Sequence, residues 1–176
     1  MPIATPAPFD VPPVWSNGAL ILYHGTLLPH AQAIQRSGVN PARGRPGTDF
    51  GPGFYTTTLL AQARSWAWLL ANTGSPPRQG AVVELSVNRD DLAPLDTLAF
   101  VRGHFSAEDY WSLVFHCRQG ATDHGRGAVN GGVYDAVYGP VAAFWMQRVA
   151  MADSEQVSFH TAKSAACLRI QNIILI

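Results

Sequence analysis

The chain has few cysteines and few charged residues, and each shortage argues against a class of protein. Its 176 residues include only two cysteines, Cys117 and Cys167, so neither a disulfide framework nor a cysteine-rich zinc site is expected. Charged residues make up 14%, and twelve basic residues balance twelve acidic ones. The chain therefore lacks the strong positive field that non-specific binding to nucleic acid requires.

Long apolar runs are also missing. No stretch approaches the ~20 apolar residues that a membrane span needs, and the amino terminus lacks the basic and apolar regions of a signal peptide. These absences predict a protein with no membrane partner. They also predict a cytoplasmic location, or delivery into a target cell without a conventional signal peptide.

The apolar content that is present suffices for one domain. Hydrophobic residues form 47% of the chain, and a chain of this length buries most of the apolar surface that it exposes when unfolded. Five prolines between Pro2 and Pro13 predict an extended segment over residues 1–17, because proline fixes φ and cannot donate to a strand ladder. A single folded domain is predicted over residues 18–176.

Glycine, proline and threonine mark the ends of a mixed series of helices and strands. The predicted helices cover residues 29–37, 59–71, 107–117 and 161–167. The predicted strands cover residues 19–23, 54–57, 81–87, 132–138, 157–160 and 168–176. Because strands and helices do not alternate regularly, the expected fold class is α+β rather than a doubly wound sheet.

Three short motifs contain most of the candidate functional residues, and the first is YHGT at residues 23–26. His24 follows a predicted buried strand, and Gly25 has no side chain to keep a ligand away from the backbone. A histidine here can bond a ribose hydroxyl while neighbouring backbone groups hold a carboxamide. The alternative is a structural histidine that is satisfied by its own packing.

The second motif is FGPGFYTT at residues 50–57. Gly51 and Gly53 allow a tight turn that delivers Tyr55 to the start of a strand. Trp66 follows in the next predicted helix, and two aromatic faces suit a planar ring such as nicotinamide. Offset stacking adds about 0.5–1.5 kcal/mol per pair beyond area burial. The alternative is that both aromatic side chains belong to the core.

The third motif, QVSFHT at residues 156–161, completes an order and spacing that resembles the ADP-ribosyltransferase superfamily. The pattern is closest to the His-Tyr-Glu branch, which includes diphtheria toxin and the poly-ADP-ribose polymerases. Asp49 before the second motif, with residues 134–141 later, resembles an uncharacterised bacterial subfamily. The resemblance covers about residues 23–168. It implies a split core of two small, roughly perpendicular β-sheets, with NAD bound as a substrate in the cleft between them.

The resemblance also implies a role for each residue of the first two motifs. His24 would bond the adenine-side ribose, and the backbone groups of Gly25 would hold the nicotinamide amide. Thr26 belongs to the same cofactor-binding stretch. Tyr55 and Trp66 would flank the nicotinamide ring.

Gln156 stands where the family offers a glutamate to the nicotinamide ribose. A fixed anion stabilises the positive charge that develops as the glycosidic bond breaks, and glutamine carries none. Asp49 could supply the anion or act as a base, although an Asx-type turn also explains it. Glu155 is adjacent, but successive strand residues point to opposite faces, so it should not replace Gln156 without a bulge. Gln156 and Asp49 are therefore the candidate catalytic residues.

These observations leave three functions open. The leading hypothesis is an NAD-dependent ADP-ribosyltransferase, a bacterial toxin or delivered effector, that modifies a macromolecular acceptor, with protein favoured over nucleic acid. The alternatives are an NAD glycohydrolase, with water as the acceptor, and a non-catalytic NAD-binding or protein-interaction module. No metal is expected, because the remaining histidines lack metal-ligand spacing. The sequence leaves the oligomeric state open.

Overall fold

The computed structural model describes residues 18–103, 107–126 and 132–176. Over these residues the fold is α+β, with two small sheets and several helices. The proline-rich segment predicted over residues 1–17 lies outside the described residues. None of the helices in the described ranges has the length and apolarity that crossing a bilayer requires.

The strands form two separate sheets. The three-stranded sheet is antiparallel and has the order β1 (Leu20–Leu27), β3 (Gly80–Val87), β7 (Arg169–Leu175). The four-stranded sheet has the order β2 (Phe54–Thr56), β6 (Val149–Phe159), β5 (Ala136–Phe144), β4 (Thr97–Ala99). In the second sheet β4 and β5 are parallel, and the other neighbours are antiparallel. Two small sheets are what the resemblance implies, and their perpendicular arrangement stays a prediction.

The helices of the described residues are α1 (Leu28–Ser37), α2 (Leu60–Asn72), α3 (Arg89–Leu92), α4 (Ala107–Arg118) and α5 (Ala162–Ala165). All except the short α3, which the sequence does not predict, begin and end close to the predicted bounds. Helix α1 has Pro29 in its first turn and ends at Gly38, which has φ +77°. Thr161 caps α5 in a capping box with Ser164, so the predicted helix starts are confirmed at both positions.

Three strands extend further than the sequence predicts. The predicted segments 19–23, 132–138 and 157–160 correspond to β1, β5 and β6. β1 and β5 continue beyond the predicted C-terminal ends, and β6 begins before its predicted start. The predicted start of β5 at residue 132 is wrong, because the strand begins at Ala136, and β4 is not predicted. β5 continues through Pro140 because the N–H and C=O of its partner Glu155 bond to Gln62 rather than to β5, so no ladder bond to β6 needs the missing N–H. β6 begins early in a stretch whose residues 151–153 are exposed, without the apolar alternation that marks a strand.

The two faces of the four-stranded sheet pack against different partners. Phe54 and Phe159 face the three-stranded sheet and pack with Leu22 and its neighbours. The opposite face packs against α4 through residues that include Val137 and Val114. Since successive residues of a strand point to opposite faces, the side chains of neighbouring residues on β6 enter different cores.

A single bridge joins the two sheets. The N–H of Tyr23 donates to Thr57 O at 2.8 Å, and the N–H of Thr57 donates to Tyr23 O at 3.0 Å. Within the described residues, no further strand pair connects β1 with β2. The residues around this bridge are those of the first two motifs, so the junction between the sheets is the natural place for a site.

Candidate functional site

His24 lies on β1 beside β2 and is held as a neutral imidazole. Its Nδ1 lies 2.6 Å from the carbonyl oxygen of Tyr55, and because a carbonyl only accepts, Nδ1 carries the proton. Burial lowers the pKa of His24, and its ring lies 4.4 Å from the ring of Phe54 between centroids. Nε2 therefore keeps a lone pair that no described residue uses, which suits a ligand hydroxyl.

Gly25 has a packing role that the sequence does not reveal. A Cβ at this position would lie 2.2 Å from the carbonyl oxygen of Ala63 on α2. The missing side chain thus admits the helix, and the expectation that it also lets a ligand approach the backbone stays a prediction. The backbone N–H and C=O of Gly25 point to the edge of β1 at which Tyr23 bonds to Thr57. This follows because residues two apart in a strand direct their backbone groups to the same side.

We expect Gly25→Ala to destabilise the protein by about 2–3 kcal/mol, because the added methyl group meets a backbone oxygen that cannot rotate away. The free energy of unfolding in urea measures this effect. Gly18→Ala is the matched control, since a Cβ there has no atom within 4 Å. Equal stability of the two variants would show that α2 is not tightly docked on Gly25.

The remaining residues of the cofactor prediction are separated in the structure. Thr26 is buried on β1. The hydroxyl of Tyr55 accepts from the N–H of Phe50 at 3.0 Å and lies 2.7 Å from the carbonyl oxygen of Gly51, so it closes the turn before β2. Trp66 lies on α2 and is 52% exposed. Among the described aromatic contacts, none joins the rings of Tyr55 and Trp66, and their roles beside nicotinamide stay predictions.

Asp49 is a buried carboxylate that bonds to distant segments, so the alternative of an Asx-type turn is wrong. It is 3% exposed. Oδ1 accepts from Arg118, with Nε at 2.7 Å and Nη2 at 2.6 Å. Oδ2 accepts from the N–H of Ala142 at 2.9 Å and from Nε2 of Gln156 at 2.6 Å.

Gln156 belongs to this buried cluster. Its amide nitrogen donates to Asp49 and, at 3.0 Å, to the carbonyl oxygen of Pro140. Because both partners only accept, the amide has one possible orientation. The two residues predicted as catalytic are therefore in contact, on the face of the sheet that packs against α4. Gln156 is 8% exposed, and a catalytic role for the pair stays a prediction.

Glu155 points to the opposite face, as strand alternation requires. Its Oε1 accepts from the N–H of Thr58 at 2.6 Å and from the hydroxyl of Thr57 at 3.2 Å. Thr57 is the residue that bridges to Tyr23, so the carboxylate lies beside the junction of the two sheets. The sequence predicts correctly that Glu155 and Gln156 diverge, but alternation alone does not say which of them lies on the face that packs against α4.

One aromatic side chain lies beside this carboxylate, and a second lies on the neighbouring helix α2. Tyr138 lies on β5 opposite Val157, on the same face as Glu155, and is 38% exposed. Burial raises the pKa of Tyr138, and the nearby Glu155 carboxylate raises it further. Trp66 lies one helical turn after Gln62, which contacts the Glu155 backbone. We call the residues His24, Gly25, Thr57, Tyr138 and Glu155 the Glu155 site.

A cavity of about 460 Å³ lies on the other face of the four-stranded sheet. It is lined by side chains of α4 and β4, together with His124 and Tyr134. Neither Glu155 nor His24 reaches it. The hydrogen bonds at Glu155 and His24, rather than this cavity, therefore define the candidate site.

Two histidines, the buried His124 and the partly buried His160, support the turn of the second motif. Nδ1 of His160 lies 2.8 Å from Pro52 O, and Nε2 of His124 lies 2.9 Å from Phe50 O. Their ring centroids are 4.5 Å apart. Burial is the main cause that lowers both pKa values, with that of His160 falling to about 4. Both imidazoles are therefore neutral in the folded protein near pH 7.

These histidines should make the fold sensitive to acid. The pKa of His160 falls from 6.5 to about 4 on folding, so the unfolded chain takes up the proton first as pH falls. The free energy of unfolding is therefore highest above about pH 6.5. It falls as the pH drops towards 4, by about 3 kcal/mol for this one residue. Urea unfolding at about pH 7 and about pH 4.5 measures the loss. His160→Gln should have a smaller pH dependence, and identical stability of the wild type at both pH values would contradict the prediction.

Comparison with known proteins gives a family without an assigned activity. No curated protein matches the chain. A family model described as "Protein of unknown function (DUF3990)" matches residues 20–152. The matched range contains His24, Gly25, Asp49, Tyr55 and Tyr138, and it ends just before Glu155. Because this range is most of the chain, the protein belongs to the DUF3990 family.

Proposed function

We propose that the chain is an NAD-dependent ADP-ribosyltransferase that modifies a macromolecular acceptor, and that Glu155 rather than Gln156 supplies the anion. One observation carries the proposal. The Glu155 carboxylate accepts from Thr57 and Thr58 beside the bridge that joins β2 to the strand of His24. The sequence resemblance implies a histidine and an acidic residue that both bind NAD, and the strands of His24 and Glu155 are both connected to Thr57 at this junction.

Each group around the junction has a proposed partner in NAD. Nε2 of His24 is an acceptor for a ribose hydroxyl. The edge of β1 at Gly25 presents a donor and an acceptor, the complement of a carboxamide. The exposed indole of Trp66 offers a flat apolar surface for the nicotinamide ring. Tyr55 then contributes by fixing the turn before β2 rather than by stacking.

Glu155 has a defined task in the reaction. The bond between the ribose carbon and nicotinamide breaks, and its electron pair leaves with neutral nicotinamide. The ribose carbon becomes positively charged, and the carboxylate stabilises that charge more than it stabilises intact NAD. The acceptor atom then bonds to the same carbon, and its proton passes to the carboxylate or to water. Because Thr57 and Thr58 hold the carboxylate in place, little reorganisation is needed.

The test is incubation of the purified protein with labelled NAD and cell lysate, followed by mass spectrometry. A labelled protein or nucleic acid supports transfer and identifies the acceptor. Free ADP-ribose, formed without any partner, indicates the glycohydrolase instead. NAD that binds and stays intact indicates the non-catalytic module. A protein that neither binds nor consumes NAD at millimolar concentration would contradict the proposal.

A further inference from the structure

β6 has an irregular stretch immediately before Glu155. Pro140 of β5 pairs with Glu155, but the next pair along the two strands is Ala142 with Ala150. Residues 151–154 of β6 thus stand opposite Val141 alone. Asp153 within this bulge has φ +49°, in the left-handed region. A bulge interrupts the ladder and lets the bulged strand bend. The β6 residues just before Glu155 are therefore not held in place by regular hydrogen bonds to β5.

The other neighbour of β6 also stops short of Glu155. β2 ends at Thr56, which pairs with Val157. Because residues two apart in a strand direct their backbone groups to the same side, the N–H and C=O of Glu155 point to where β2 would have continued. The chain instead leaves β2 and enters α2, so a strand partner for Glu155 is missing on this side.

Gln62 of α2 takes the place of that partner. Its Nε2 donates to Glu155 O at 2.8 Å, and its Oε1 accepts from the N–H of Glu155 at 3.2 Å. One side-chain amide therefore provides the donor and the acceptor that a strand residue would provide. The hydroxyl of Thr57 lies 3.3 Å from Oε1 of Gln62 and 3.2 Å from the Glu155 carboxylate. Thr57 therefore lies within hydrogen-bond distance of both side chains.

We infer that Gln62 is a positioning residue that sets the direction of the Glu155 carboxylate. The inference rests on the proposed function. Gln62 acts through the backbone of Glu155 and contacts neither substrate nor reacting atoms. Because α2 is docked on Gly25, Gln62 also fixes the distance between the acid and the strand of His24. Loss of the amide frees the bulge and lets the carboxylate move, and a misplacement of about 1 Å costs roughly a hundredfold in rate.

Three variants separate positioning from plain structural support. Gln62→Ala removes both hydrogen bonds. Gln62→Glu keeps an acceptor but adds a second carboxylate, which disfavours ionisation of Glu155 and should move the acid limb of the pH–rate profile to higher pH. Ser65→Ala is the matched control, because Ser65 lies exposed on the same helix and bonds only to Ala61 O within the described residues.

The measurements are kcat and KM for NAD, together with amide hydrogen exchange over residues 151–155 without NAD. For Gln62→Ala we expect kcat to fall roughly a hundredfold, KM to stay unchanged and exchange to accelerate at Glu155. A kcat equal to that of the control, or a loss confined to KM, overturns the inference. If the wild type consumes no NAD, the proposed function fails, whereas the exchange data still decide whether Gln62 holds the backbone of Glu155.

Discussion

Glu155→Gln should lower the rate of NAD cleavage about a thousandfold and leave NAD binding intact. The substitution keeps the shape of the side chain and its bonds from Thr57 and Thr58, but it removes the charge. An interaction aimed at charge that develops in the transition state contributes about 10²–10³ in kcat. Ground-state binding through His24 and Gly25 does not depend on that charge. The variant should therefore bind NAD and fail to turn it over.

The experiment compares kcat and the Kd for NAD in the wild type and Glu155→Gln. Glu108→Gln is the matched control, because Glu108 is an exposed acid on α4 that pairs with Arg148. Gln156→Asn tests the other candidate and shortens an amide without adding a charge. Full activity in Glu155→Gln, with loss of activity in a folded Gln156→Asn protein, would contradict the proposal and return the role to Gln156.

Asp49→Ala should destabilise the protein by about 4 kcal/mol, the largest stability effect that we expect from one side chain. Removing one partner of a buried ion pair costs about 3–5 kcal/mol. Here the loss removes the carboxylate to which the Arg118 guanidinium, the Ala142 N–H and one N–H of the Gln156 amide donate. Arg118 is 29% exposed, so water recovers part of the arginine interaction but not the two bonds to Oδ2.

Asp49→Asn refines this test because it keeps the shape of the side chain and removes its charge. Donors face both oxygens of Asp49, so either orientation of the new amide directs its NH2 group at another donor. The asparagine variant should therefore also lose stability. Asp90→Ala, at an exposed position in the first turn of α3, should change the free energy of unfolding by less than about 0.5 kcal/mol. Urea unfolding near neutral pH measures all three, and an Asp49→Ala protein as stable as Asp90→Ala would contradict the role of the cluster.

The sequence predicts those features of the fold that depend on local chemistry. Proline in the first turn and glycine after the last turn predict α1, and the hydroxyl of Thr161 predicts the start of α5. The mixed order of helices and strands predicts the α+β class, which is confirmed. The start of β6 is missed because residues 151–154 bulge and show no periodic pattern.

The site is harder to predict because its geometry depends on contacts between distant residues. Alternation along β6 states that Glu155 and Gln156 point in opposite directions, but only the packing of α4 shows which face is closed. Gly25 is recognised from sequence as a position without a side chain, yet only the approach of Ala63 gives the reason. Asp49 resembles a turn residue until Arg118 and Gln156 are brought to it.

The Asp49–Gln156 bond also bears on how the molecule folds. Its two residues are 107 positions apart in the chain, and contacts between residues so distant in sequence form slowly, because a large loop must close first. The same strand, β6, carries Glu155 and completes the pairing of β2. A ribosome-bound chain that has emerged only as far as α4 therefore lacks the strand that builds the Glu155 site. The site can assemble only after β6 has been synthesised.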